Sequence, residues 1–326
     1  MRSAPEERAE RERELERLEQ ELARGTGAAE ELQEVLRARA EALREELWRD
    51  PTPWQIVQAA RHPQRPKLAD YLQRLFTDVV ELHGDRLFAD DPALFCGLGR
   101  FLGEPVAIVG HYKGKDTREN LHRRWGMPNP EGYRKAVRVM RLAEKRGLPV
   151  IALVDTPAAY PGIEAEERGQ AEAIARSLLT MAQLRSPTVV AITGEGGSGG
   201  ALAIAVGDRV LMMQYAIYSV ISPEGCAAIL WRDAARKEEA AAALKLTARD
   251  LYAFGVVDEV VPEPLGGAHL DPDAACSALR DALSRALAEV QALAAEERLA
   301  RRYDKYRRMG RFGVAAPSPE PHTPGV

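Results

Sequence analysis

The run Thr193-Gly194-Glu195-Gly196-Gly197-Ser198-Gly199-Gly200-Ala201-Leu202-Ala203 constrains this chain most. It follows the apolar, β-type segment Pro187-Thr188-Val189-Val190-Ala191-Ile192 and leads into an alanine- and leucine-rich helix start. Glycine lets a backbone turn sharply and approach a ligand with no Cβ in the way. A helix N-terminus adds unpaired N–H groups and the positive end of a dipole. Together these features predict a cradle for an anion, either a stable phosphate or a transient oxyanion.

Gly194-x-Gly196-x-x-Gly199 matches the dinucleotide fingerprint as a string. That fingerprint needs a full crossover helix and an acidic residue about 20 positions on. Here Gly207-Asp208 cuts the helix short, and the next strand ends near Gln214 and Tyr215 without a carboxylate. A Walker A loop fails because no Gly-Lys-Ser/Thr closes the run. Gly196-x-Ser198-x-Gly200 matches a nucleophile elbow, and Asp258 and His269 follow in hydrolase order. Four residues nevertheless separate Ser198 from its strand. An oxyanion hole built from the Gly199 and Gly200 amides is the third reading, and a plain packing turn the fourth.

Composition narrows the class. Hydrophobic residues make up 45% of 326 positions, enough for a sizeable core, and the net charge of −4 gives no general pull toward nucleic acid or membrane. Cys96, Cys226 and Cys276 are scattered, which suggests neither a disulfide framework nor a metal site in this chain. No signal peptide or membrane span is evident, so a cytoplasmic location is expected.

Along the chain, residues 1–50 read as a helical hairpin or arm. Its leucine stripes are Leu15, Leu18, Leu22 and Leu32, Leu36, Leu43, Leu47, broken at Gly25-Thr26-Gly27. The stripe serves a solvated arm or packs on a partner subunit. Residues 51–270 alternate short apolar strands with helices, an α/β pattern with a largely parallel sheet. Helices are expected over Leu68–His83, Pro130–Arg146 and about Ala165–Leu184. A hairpin over 94–111 is turned at Gly103-Glu104, and the basic loop from Lys113 to Pro130 shows no periodicity. Strands are expected over 149–154, 189–192, 209–214 and 219–221. Residues 271–312 read as C-terminal helices, and 313–326 as a proline-rich disordered tail.

Several strings carry a resemblance. Gly199-Gly200-Ala201-Leu202-Ala203-Ile204-Ala205-Val206-Gly207-Asp208-Arg209-Val210 resembles the oxyanion-hole helix and strand of the crotonase superfamily. Five others occur in order: Glu131-Gly132-Tyr133-Arg134-Lys135-Ala136; Asp155-Thr156-Pro157-Ala158-Ala159-Tyr160-Pro161-Gly162; Ala165-Glu166-Glu167-Arg168-Gly169-Gln170; Tyr218-Ser219-Val220-Ile221-Ser222-Pro223-Glu224-Gly225-Cys226; and Pro262-Glu263-Pro264-Leu265-Gly266-Gly267-Ala268-His269. In this order they resemble the α-subunit family of bacterial acetyl-coenzyme A carboxylase carboxyltransferases. The match runs from about Pro51 into the C-terminal helices and weakly into the arm.

The resemblance implies a crotonase-like (ClpP/crotonase) β-β-α spiral core. It implies carboxyl transfer from carboxybiotin, on the biotin carboxyl carrier protein, to acetyl-CoA, forming malonyl-CoA for fatty acid synthesis. It also implies an α2β2 assembly with a zinc-bearing β subunit, within a wider ATP-dependent complex containing biotin carboxylase. By the resemblance, amides at Gly199 with Gly200, and at Ala158 with Ala159, stabilise oxyanions at the α–β interface. This subunit's hole would hold the biotin ureido oxygen, and the β subunit's hole the thioester oxygen. The family has glycine where this chain has Ala158; alanine there is strained only if φ is positive.

Gly196, Gly197, Tyr160, Tyr218 and Glu224 are candidate substrate-binding residues around these turns. Arg123 and Arg124, with Lys113, Lys115, Arg134, Lys135 and Arg138, form a basic segment. It is either a solvated face or an attractor for CoA phosphates and the carrier. Glu195 and Glu224 are candidates to orient a donor. His111 and His269 read as structural histidines.

Overall fold

The computed structural model describes residues 4–23 and 30–310. The expected Gly25-Thr26-Gly27 break and the proline-rich tail lie outside the described residues. Eight strands form one sheet: β1 (Phe76–Glu81), β2 (Leu94–Phe101), β3 (Glu104–His111), β4 (Val150–Thr156), β5 (Thr188–Gly197), β6 (Arg209–Met213), β7 (Ile217–Ser219) and β8 (Glu259–Val261). Their order is β1-β2-β3-β4-β5-β6-β8, with β7 pairing the end of β5. The first three strands are antiparallel; β3, β4, β5, β6 and β8 run parallel. Every residue of β4 is buried, as expected for a parallel strand covered on both faces.

Helix Pro130–Arg146 shows how sequence dictates an element. Proline occupies its first turn, Glu131 complements its dipole, and Lys145 and Arg146 close its last turn. Tyr133, Ala136, Val137, Met140 and Ala143 form its buried stripe, and Gly147 ends it at φ 68°. It packs on helix Gln170–Gln183, while helix Pro272–Gln291 packs on β5 and β6.

Five expectations change; in one, the strand expected over 219–221 is β7, Ile217–Ser219. The helix expected over Leu68–His83 stops at Leu75, and Phe76–Glu81 is strand β1. Thr77, Val79 and Val80 are β-branched, and β2 offers them an edge to pair with. The helix expected over 165–184 is two, Ile163–Glu167 and Gln170–Gln183, divided where Gly169 takes φ 81°. The hairpin turns through Leu102 and Gly103, both with positive φ, rather than at Gly103-Glu104. The basic loop contains helix Thr117–His122, capped by Asp116, and then a left-handed turn through Arg124, Trp125 and Gly126 (φ 47°, 52° and 75°).

Helices Ala4–Ala23 and Glu30–Trp48 form the arm, and Leu15, Ala40, Leu43 and Leu47 bury one another with Leu18 and Leu22 packed beside them. Most of the leucine stripe is therefore used inside the hairpin, although Leu32 stays exposed. Trp48 meets the body edge-on at Tyr215, 4.9 Å between centroids.

Helix Ala295–Arg307 is fixed by buried charge. Arg302 donates to both Asp208 carboxylate oxygens at 2.8 Å and to the Leu184 carbonyl at 2.8 Å. Removing one partner of such a pair strands the other charge in low dielectric. Arg302→Met is expected to cost about 3–5 kcal/mol in urea unfolding, whereas loss of the exposed pair Arg301–Glu297 costs under about 1 kcal/mol.

Candidate active site

The glycine run is strand before it is turn. Gly194, Glu195, Gly196 and Gly197 all belong to β5, held by β4 on one side and β7 on the other. Ladder bonds on both edges offset glycine's weak strand preference. The glycines are needed for close approach. A Cβ on Gly197 would lie 1.8 Å from the Pro157 oxygen, and one on Gly200 would lie 2.3 Å from both Ala158 C and Ala159 N. A Cβ on Gly196 would lie 2.7 Å from the Tyr218 ring. The turn itself is made by Ser198, at φ 48°, which opens helix Ser198–Leu202.

The structure thus brings the two amide-bearing turns into backbone contact. Among the described hydrogen bonds, the Gly199, Gly200 and Ala159 amides donate to no acceptor in the chain. The Ala158 amide instead donates to Thr156 Oγ1 at 3.2 Å, and that hydroxyl donates to the Ala158 carbonyl at 2.7 Å. Ala158 is not among the residues with positive φ, so alanine sits there unstrained.

Tyr218 lies over Gly196 and forms, with Ser198, Gly199, Leu202, Leu251 and Val256, the wall of an apolar groove of about 270 Å³. Burial pushes its phenol up to about 12, so it is a neutral donor. Tyr160 sits beyond the Ala159 turn, with the Arg124 guanidinium 5.3 Å from its ring centroid. A second cavity of about 710 Å³ has Arg61, Lys67, Lys113, Trp125, Asp155 and Glu195 in its wall.

Carboxylates and cations tie these segments together. Lys113 Nζ donates to Asp155 Oδ1 and Glu195 Oε2, each at 2.8 Å. Arg61 donates to Glu195 Oε1 and Glu224 Oε1, each at 2.7 Å. Burial alone would raise the Glu195 carboxyl, but Lys113 and Arg61 outweigh it and hold it below its usual range. Glu195 is therefore a bound carboxylate, not a free base. Glu224 is likewise held low by Arg61.

The basic segment is occupied internally. Arg123 stacks on Tyr112, 3.4 Å from the ring centroid, and donates to the Pro92 carbonyl. Arg124 reaches Asp91 at 3.6 Å. Lys135 is buried on Asp90, and Arg134 on Asp85. The elbow residues are not assembled. Asp258 accepts from Lys305 and the Val210 amide, and His269 stacks on His62 at 3.7 Å. Among the described residues neither meets Ser198, and no group of three or more His, Cys, Asp or Glu side chains is arranged for a metal ion.

Sequence reading missed Arg61 and Asp155 as site residues and placed Lys113 only within a charged segment. Their partners lie 40 to 163 positions away, so no local spacing signals them. His111, expected to be a structural histidine, has its Nε2 3.2 Å from the Gly200 carbonyl, but its buried Nδ1 has no partner among the described residues.

This geometry makes the glycines unequal in their tolerance of a side chain. Gly199 has only Ile174 within reach of an added Cβ, at 3.6 Å. Gly199→Ala should change unfolding free energy by less than about 1 kcal/mol, whereas Gly197→Ala and Gly200→Ala should each cost more than about 2 kcal/mol. His111 is held neutral, burial lowering its pKa to about 3 from 6.5. The unfolded chain takes up that proton first, so stability is full above pH 6.5 and falls toward pH 3. The slope is about 1.4 kcal/mol per pH unit for one proton, and His111→Gln should remove that increment from urea midpoints measured across this range.

Comparison with known proteins agrees with the fold and the motifs. A family model described as acetyl co-enzyme A carboxylase carboxyltransferase-like matches residues 5–310. The chain is 59% identical to the acetyl-coenzyme A carboxylase carboxyl transferase subunit alpha of Geobacter sulfurreducens, over 84% of this chain and 86% of that one. It is 58% identical to the same subunit of Geobacter metallireducens, over 92% and 95%. Among solved structures, a 12S transcarboxylase superposes with TM-score 0.56 at 18% identity, covering 79% of this chain. The β subunit of Pseudomonas aeruginosa geranyl-CoA carboxylase gives 0.53 at 17%, covering 81%. This chain spans about half of each, 46% and 48% of their lengths. The architecture is the expected crotonase-like one, and the chain belongs to the family of acetyl-coenzyme A carboxylase carboxyl transferase α subunits.

Proposed function

We propose that this chain, together with a β subunit, transfers a carboxyl group from carboxybiotin on a carrier protein to acetyl-CoA, giving malonyl-CoA for fatty acid synthesis. The assembly would be α2β2 with a zinc-bearing β subunit, working in the cytoplasm beside biotin carboxylase. The observation that carries the reading is the contact between two turns whose Gly199, Gly200 and Ala159 amides have no acceptor among the described residues.

Carboxybiotin would supply the carboxyl group. This chain's part is to present fixed N–H groups to an oxygen that gains negative charge as the carboxyl leaves. Preorganised donors of this kind contribute about 3 kcal/mol each, because no dipole must reorient during reaction. Tyr218, over Gly196 and near Gly197 along β5, and Tyr160, beside Ala159, would form the walls of the biotin site. Glu224 would fix the entrance through Arg61. Arg123 and Arg124 would brace the Tyr160 wall rather than offer a free positive field. Ala158 would act through its Thr156 bond, keeping Ala159 aimed. No protein nucleophile is required, which suits an unassembled Ser198, Asp258 and His269.

The test is malonyl-CoA:biocytin exchange with the chain alone and with its β partner. Exchange should require both. Gly199→Val, which has room for its Cβ but crowds the amides, should lower kcat by about 10²–10³-fold with assembly intact. Exchange by the chain alone, or unimpaired exchange by Gly199→Val, would contradict the reading.

A further inference from the structure

We propose that Lys113 is a positioning residue for this site, whose ammonium group fixes the spacing of the two donor turns. The proposal rests on those turns being the oxyanion site.

Ordinary packing cannot set that spacing. Gly194, Gly196 and Gly197 have no side chains to interlock, and the β4–β5 register slips between Val154 and Thr156, just where the strands hand over to the turns. Between Ile192 and the Thr156–Gly196 pair the ladder is interrupted, so it sets the distance between the two ends only loosely. Two carboxylates take over. Asp155, at the end of β4, accepts from the Glu195 amide of β5 at 2.9 Å and from Lys113. Glu195 accepts from the same Lys113 nitrogen with its outer oxygen. The three side chains are 13%, 10% and 11% exposed for Lys113, Asp155 and Glu195, so water screens them weakly.

Without the ammonium, two close carboxylates face each other. Of the two carboxylates Arg61 reaches only Glu195, and it shares its charge with Glu224; Arg65 is committed to Glu263 and the Thr193 carbonyl. Lys67 donates to the Gly114 carbonyl instead. Repulsion would then spread Asp155 from Glu195, and with them Ala159 from Gly199 and Gly200. The anchor is itself rigid. Lys113 follows the end of β3, where His111 touches the Gly200 carbonyl, and its stem packs under Gly126 of the left-handed turn. One strand end therefore holds both turns.

A displacement of about 1 Å in a reacting geometry costs up to about 10²-fold in rate. The experiment uses the reconstituted α/β enzyme. Lys113→Met should lower kcat by about 10²-fold while KM for acetyl-CoA changes less than about threefold. Adding Asp155→Asn should restore at least about tenfold. The side-chain amide so introduced can still accept from the Glu195 N–H through its oxygen and can donate to the Glu195 carboxylate through its nitrogen, and the repulsion is gone. A Lys113→Met enzyme with wild-type kcat would overturn the proposal. So would a raised KM with kcat intact, which would make Lys113 a substrate contact, or a double variant no faster than the single one. If Lys113→Met does not assemble, Lys113→Gln decides, since its amide can still donate to one of the two carboxylates but carries no charge to offset their repulsion. A kcat drop of about tenfold at unchanged KM supports the proposal, and unchanged kcat defeats it. Wild-type enzyme that transfers nothing refutes the underlying function instead, so the two failures are distinct.

Discussion

The structure depends on one close contact between backbones. At Gly197 and Gly200, strand end and helix start lie against Pro157, Ala158 and Ala159 with no room for a single carbon. Such contact is possible only where both segments give up side-chain packing. What it yields is a pair of peptide turns in backbone contact. Dispersion between tightly apposed backbones contributes, but each turn could still slide or tilt. The remaining freedom must be removed by polar groups brought in from elsewhere.

That need accounts for charge buried near the site. Arg65 donates to the Thr193 carbonyl and, through both terminal nitrogens, to Glu263, and Glu263 also accepts from the Tyr215 and Ala268 amides. Segments distant in sequence are thereby pinned to the middle of β5. Buried ion pairs are poor sources of net stability, because desolvation offsets the Coulomb gain. They do penalise alternatives heavily, since any rearrangement leaves an unpaired charge in low dielectric. A site made of glycine amides requires that kind of specification more than it requires extra stability.

Much of the fold was legible because its signals are local. Buried strands β4 and β6 appear as apolar runs, and Pro130–Arg146 carries its stripe and both ends in its own sequence. Errors arose where a local pattern served two structures. Leu72, Leu75, Val79 and Leu82 keep helical spacing, yet pairing with β2 turns the second half into a strand with Val79 and Val80 outward. The glycine run reads as a turn in isolation, and only the neighbours β4 and β7 make it a strand. In the candidate site, one of the two turns was visible as a glycine string and the other through the family resemblance, while the Lys113, Asp155, Glu195 and Arg61 set was not. Ion pairs formed across many tens of residues carry no periodicity. The basic segment misled for the same reason, since the acids that neutralise Arg134 and Lys135 precede it by some 45 to 49 positions.

The same geometry explains why donors placed this way need a cover. A hydrogen bond to developing charge is worth most where water is excluded, because solvent competes for the amide and screens the charge. Gly200 is buried, but Ser198 and Gly199 are only half-buried, and the groove beside them is walled on one side. Val220, on that groove, is 74% exposed, an apolar side chain left open by the described residues. A second surface closing the groove would remove water from the Gly199 amide and bury Val220 in one step. The electrostatic value of the turns and the apolar gain of closure would then rise together, so that donors held rigid in the free chain become effective only once it is covered.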